Sequence, residues 1–325
     1  MNLAVGRLIT VCLAVVVGAC APLPAADDAT TLSGHTNVVS SVRFTPDGSL
    51  AVSGSWDETV GLWNVPAGTS AGILAGHTDW VEAVAISPDG AHIVSASQRA
   101  VRTWNLKSQS PESVFGAPAA FSISSMALSS DGRWLAGGVR DGTVRVWEVG
   151  VDEPRWSFPT DEAWTKSLTF SADGGLLAAG DWLGRLRVWN LATGEEVFSH
   201  AAHPDAPIAA LAFSPDGQRL AAGSYDATIS IRDTTAWELK QTLKGHKGLV
   251  LSLAYSPDSQ LLASGERHGP IKVWSDGSEP VLEFAGHPDS KLGFSVVSLA
   301  FSPDGKHLAS ASYDKTIKLW RMDGP

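Results

Sequence analysis

Along most of this chain apolar and polar positions alternate over short distances. Brief β-prone runs such as Val42-Arg43-Phe44 and Leu50-Ala51-Val52 stand on either side of a polar turn, Thr45-Pro46-Asp47-Gly48. Proline pre-sets the first turn dihedral, and Asp and Gly accept the tight geometry, so the unit predicts two strands joined by a hairpin. The turn returns as Ser87-Pro88-Asp89-Gly90, Ser129-Ser130-Asp131-Gly132, Ser171-Ala172-Asp173-Gly174, Ser214-Pro215-Asp216-Gly217, Ser256-Pro257-Asp258-Ser259 and Ser302-Pro303-Asp304-Gly305. Successive aspartates lie 42, 42, 42, 43, 42 and 46 residues apart. Seven copies at a period of that size predict one all-β domain of radial blades in place of two ordinary domains.

Two further marks keep phase with the turn. Gly34-His35, Gly76-His77, Gly245-His246 and Gly286-His287 precede it, and Trp63, Trp104, Trp147, Trp189, Trp274 and Trp320 follow it. Together, over about residues 29–322, these marks resemble the WD-repeat family, in which each repeat runs from Gly-His to Trp-Asp. The closing dipeptide here is usually Trp-Asn, as at Trp63-Asn64, Trp104-Asn105 and Trp189-Asn190. The resemblance implies a seven-bladed β-propeller of four-stranded blades around a channel. It also implies a buried chain of His, Ser or Thr, Asp and Trp in each blade. The first repeat offers His35, Ser53, Asp57 and Trp63, and the seventh offers His287, Ser310, Asp314 and Trp320. The second keeps His77, Ser95 and Trp104 without the Asp, and the sixth keeps His246, Ser264 and Trp274 with His268 at the Asp position. The third has Asp141 and Trp147 but Gly137, the fourth has Trp189 with Ala179 and Leu183, and the fifth has Asp226 with Ala222 and Arg232. Blades three to five are therefore expected to be the softer half.

Ala29-Thr30-Thr31-Leu32-Ser33-Gly34-His35 matches Gln241-Thr242-Leu243-Lys244-Gly245-His246, so the N-terminal segment is expected to supply the outer strand of the last blade and close the ring. Adjacent antiparallel strands place the Gly-His loops and the turn carrying Asp57 at one end, the top, and the Pro-Asp-Gly turns at the other. The residue just before the Asp position then points toward the top rim: Trp56, Gln98, Arg140, Trp182, Tyr225, Arg267 and Tyr313. Trp80 and Trp164 join them three residues after the His position, with Phe121 nearby. Trp, Tyr and Arg dominate interface energetics, which makes this set a candidate partner-binding surface. The alternative is that the aromatic members pack between neighbouring blades. His287 to Trp320 spans 33 positions against 28 from His35 to Trp63, and the surplus Pro288–Phe294 predicts a longer top loop.

Composition narrows the partners. A formal charge of -10 and a pI near 5.3 oppose broad contact with nucleic acid or an anionic membrane surface. Membrane attachment is expected from the start of the chain instead. Arg7, an apolar run from Leu8 to Val17 and the small pair Gly18-Ala19 form a signal-peptide pattern over residues 1–19. Val17-Gly18-Ala19-Cys20 resembles the lipobox of bacterial lipoproteins, which implies cleavage before a lipidated Cys20 and a linker over residues 20–28, leaving 29–325 as the propeller. An ordinary secretory signal cut after Ala25 or Ala26 is the alternative, giving a soluble secreted or periplasmic protein.

Catalysis finds thin support. His200-Ala201-Ala202-His203 with Asp205 has ligand types a metal accepts but no further partner, and no phosphate loop or nucleophile motif occurs. No metal or cofactor is expected. The expectation is a non-catalytic, monomeric scaffold that binds a protein or peptide on its top face outside the cytoplasm. The alternative is a propeller enzyme or small-molecule binder that uses the central channel.

Overall fold

A computed structural model describes residues 29–116, 123–160, 164–287 and 295–322. Its strands form seven four-stranded antiparallel sheets, as the repeat predicts. Each blade is a meander. The first runs Val39–Phe44, Leu50–Ser55, Thr59–Asn64 and Thr69–Ala75 from the channel outward. The last is built of Val296–Phe301, His307–Ser312 and Thr316–Arg321, and Thr30–Ser33 pairs outside them. The register sets Thr30 against Leu319 and Leu32 against Ile317, and Leu32 is 2% exposed. A strand from the start of the sequence thus covers an edge that would otherwise template pairing with another molecule.

The hairpins form because their turn residues accept the geometry. Gly48, Gly90, Gly132, Gly174, Gly217 and Gly305 all have φ near +70°, the left-handed region that favours glycine. The Ser hydroxyl that opens the turn donates to the Asp carboxylate two residues on, as from Ser87 to Asp89 and from Ser214 to Asp216. Ser259, which stands where the other six copies have Gly, holds φ 62° all the same. Its hydroxyl accepts the Asp216 N–H of the neighbouring turn at 3.1 Å, a bond that glycine could not make.

The core lies between blades. Val52, Val60, Leu62 and Leu74 of the first blade pack on Val81, Val84, Ile86, Ile93 and Trp104 of the second. Equivalent clusters fill every other interface around the ring. Trp63, Trp104, Trp189, Trp274 and Trp320 are buried in them, and each Trp anchors its blade to the one before. The fifth blade has Arg232 at that place. The Arg232 guanidinium lies 5.4 Å from the Phe198 ring, which stacks on Trp237 at 5.1 Å, and the two rings pack against the cluster between the fourth and fifth blades.

Candidate protein-binding face

The buried polar chains hold the top-face turns in place. In the first blade the Trp63 indole N–H donates to Ser53 Oγ at 2.8 Å, Ser53 lies 2.8 Å from His35 Nε2, and His35 Nδ1 donates to Asp57 at 2.9 Å. Ser53 is inaccessible to solvent. The carboxylate also takes the Thr36 N–H and the Thr59 hydroxyl, which ties the loop before the blade to the turn that carries Trp56. The seventh blade repeats this with Trp320, Ser310, His287 and Asp314 at 2.9, 2.9 and 2.6 Å. Burial pushes the Asp57 carboxyl up, but the hydrogen bonds from Thr59, Thr36 and His35 outweigh it and hold Asp57 below the ordinary carboxylate value.

Two blades differ from the sequence expectation. In the sixth, Glu266 and not His268 is the carboxylate partner, bonding His246 Nδ1 at 2.7 Å. A glutamate two residues earlier has one more methylene and reaches the same nitrogen, while His268 sits exposed in the turn with φ 61°. In the fifth, His203 bonds Asp226 at 2.8 Å and Ser230 at 2.9 Å, so the hydroxyl missing at Ala222 comes from the adjacent strand. His203 is therefore engaged in a blade and is not poised beside His200 for a metal. Among the described residues no cluster of three or more His, Cys, Asp or Glu could hold a metal ion. In the second blade His77 and Trp104 share Ser95 at 2.7 and 2.8 Å, and His77 Nδ1 has no hydrogen-bond partner among the described residues.

Most of the candidate contact residues fall into two contact groups on the top, one around Trp56 and one around Trp182. Trp56 stacks on Trp80 of the next blade, 4.4 Å and 11° apart, and lies 5.7 Å from Tyr313 across the ring closure. Trp182 meets Tyr225 edge-on at 5.9 Å, Lys166 lies 5.5 Å from the Trp182 ring, and Arg140 lies 5.4 Å from the Trp164 ring. A backbone bond from Trp182 to Trp164 joins the last two pairs. These side chains pack across blades and still face water: Trp80, Trp164, Trp182 and Tyr313 are 44, 49, 43 and 39% exposed. Leu183 adds the most exposed large apolar side chain beside them, at 67%. Trp56, Tyr225, Arg267 and Tyr313 turn inward and line a cavity of about 520 Å³ at the channel mouth. Gln98 lines a small recess beside Glu82. Phe121, Pro288–Phe294, Cys20, the residue 1–19 signal and the residue 20–28 linker lie outside the described residues.

The channel carries residues that spacing alone misses. In all seven blades the innermost strand has a register shift after its first residue: Val39/Ser41, Val81/Ala83, Ile123/Ser125, Thr165/Ser167, Ile208/Ala210, Val250/Ser252 and Val296/Ser298. The skipped residue, Ser40, Glu82, Ser124, Lys166, Ala209, Leu251 or Val297, lines the cavity. A bulge re-aims one side chain and breaks strict alternation, so a two-residue period does not find it. Glu82 and Lys166 are the charged members. Burial pushes the Glu82 carboxyl up, against the Trp56 indole and Lys166, and burial also lowers the Lys166 ammonium against the pull of Glu82.

Comparison with known proteins agrees with this architecture. The profile described as "WD domain, G-beta repeat" matches residues 27–64, 68–105, 109–148, 153–190, 194–233, 237–275 and 278–321. The protein is similar to the small ribosomal subunit protein RACK1y of Oryza sativa subsp. japonica, 30% identical over 37% of each chain. It is also similar to RACK1z of Arabidopsis thaliana, 31% identical over 37% of this chain and 42% of that one. Protein Mut11 of Chlamydomonas reinhardtii is 64% identical over 33 residues, 10% of this chain and 9% of that protein. The aligned segments thus span about two fifths or less of these curated relatives. With seven profile matches laid over seven blades, this chain belongs to the WD-repeat family of β-propellers.

Proposed function

We propose that this propeller is a non-catalytic scaffold that binds one or more proteins or peptides on its top face. The observation that carries the reading is the rim of Trp80, Trp56, Tyr313, Tyr225, Trp182, Trp164 and Arg140, partly exposed on a rigid ring. Large aromatic groups held by their neighbours lose little freedom on binding and bring much area to an interface. The similarity to ribosomal-subunit proteins named RACK1 supports a role in assembly with other proteins.

The proposal extends to place. Residues 1–19 act as a signal, Cys20 is lipidated, and the scaffold works as a monomer on the extracytoplasmic side of the envelope membrane. The closing strand Thr30–Ser33 rises toward Gly34-His35 at the top, so it starts at the bottom. About ten residues separate it from Cys20, a reach of roughly 35 Å at most. The lipid therefore holds the bottom or side toward the bilayer and leaves the aromatic rim outward.

One design tests both parts. In its host the intact protein should incorporate an alkyne-tagged fatty acid and Cys20→Ser should not; equal labelling overturns the anchor. The Trp56→Ala, Trp182→Ala and Tyr313→Ala variant should retain a cooperative melt and lose partners that the intact protein captures. Unchanged capture overturns the top face, and a collapsed melting temperature assigns these residues to packing.

A further inference from the structure

The channel is electrostatically opposite to the molecule that encloses it. Charged residues on the seven innermost strands are Arg43, Glu82 and Lys166. Arg267 joins them at the top mouth. Three cations thus face one carboxylate inside a protein whose formal charge is -10. Asp79, which acts on Glu82 from the second blade's top loop, is paired with Arg99 at 3.3 Å. Among the described residues no carboxylate comes within 4.0 Å of the side-chain nitrogens of Arg43, Lys166 or Arg267. Arg43 donates to its neighbouring Val42 carbonyl at 2.7 Å and lines the lower part of the channel, about 370 Å³, together with Glu82 and Lys166.

An excess of cations over carboxylates along a cleft with protein walls focuses a positive field into it. Burial lowers the Lys166 ammonium from its ordinary value against the pull of Glu82, while the Arg43 side chain stays open to channel water. The upper cavity adds apolar walls beside the cations: the Trp56 and Tyr313 rings, with Tyr225 backed by Trp182. A bare inorganic ion uses none of those walls. A nucleic acid needs an extended basic surface, and this one is acidic outside. At about 520 Å³ the cavity suits a few side chains of an extended segment.

We propose that the channel mouth takes a carboxylate of an acidic peptide segment in the cavity lined by Lys166 and Arg267, with Trp56, Tyr225 and Tyr313 packing on the segment's apolar neighbours. The proposal rests on the top-face reading and names the chemistry of the group that enters. The carboxylate comes from an Asp or Glu side chain or from the free carboxyl terminus of the segment.

The test selects nine-residue random peptides on the immobilised intact protein, from one library with free and one with amidated carboxyl termini. Acidic peptides should be enriched, and their affinity should fall with added salt. A variant with Lys166→Met and Arg267→Met should bind them at least about tenfold more weakly, the scale of losing a desolvated charge contact. Glu82→Gln should bind them more tightly, a gain that damaged folding cannot produce. Enrichment in the free library alone assigns the terminal carboxylate; enrichment in both assigns a side chain. Neutral or basic peptides that still depend on Trp56, Trp182 and Tyr313 would overturn the carboxylate and leave the top face standing. Acidic peptides indifferent to both sets of substitutions would overturn both, and absence of acidic enrichment overturns the present proposal.

Discussion

At the scale of single residues, the polar chains of the first two blades differ in whether a carboxylate faces the histidine: His35 has Asp57, and His77 Nδ1 has no such partner. His35 is lowered by burial, an effect opposed by Asp57. His77 faces no such carboxylate, and burial, with Arg102 adding to it and Asp79 opposing, takes it to about 4. The imidazole of the unfolded protein titrates at the ordinary 6.5. Between those values the unfolded state binds more protons, so stability is full above 6.5 and is lost as pH falls toward 4. Asp57, Asp226 and Asp314, held below their ordinary value, add a further loss as pH falls through 3.8 and lower. His77→Gln should lower the melting temperature at pH 7 and flatten its decline between pH 6.5 and 4.5; an unchanged slope would assign the decline to other groups. His35, Ser53, Asp57 and Trp63 were readable from sequence because each occupies a repeated position. Glu266 and Ser230 were not, since each reaches the shared site from a different backbone position.

At the scale of elements, the repeat marks reported strands and turns well because a hairpin depends on local residues. They did not report the bulge after Val39 and its six counterparts, where the skipped residue is Ser, Glu, Ser, Lys, Ala, Leu or Val. The channel charges Glu82 and Lys166 were hidden for that reason. The blades themselves differ in strength. With His203 joined to Asp226 and Ser230, and His246 to Glu266, the expected weakness contracts from blades three to five to blades three and four, whose segments before the inner strand carry no histidine. Each missing buried bond is worth about 1 kcal/mol. Amide exchange should therefore be fastest among the inner strands in Ile123–Leu128 and Thr165–Phe170. Faster exchange in Val39–Phe44 or Val296–Phe301 would contradict this ranking.

At the scale of the whole molecule, closure joins Thr30–Ser33 to Thr316–Arg321 and makes the ring one rigid support for the top-face turns. The same closure brings Trp56 beside Tyr313, a pair far apart in sequence that no local pattern shows. The aromatic residues of the top rim were legible one by one from the repeat; their pairing across blades and their meeting with a cationic channel follow from the ring. The central claim is that partners dock on that end. Hydroxyl-radical footprinting of the protein with and without a partner it captures tests this most directly. The account predicts protection at Trp56, Trp80, Trp182, Tyr225 and Tyr313, with the turns at Asp47, Asp131 and Asp216 unchanged; protection of those opposite turns with the aromatic rim still reactive would contradict it.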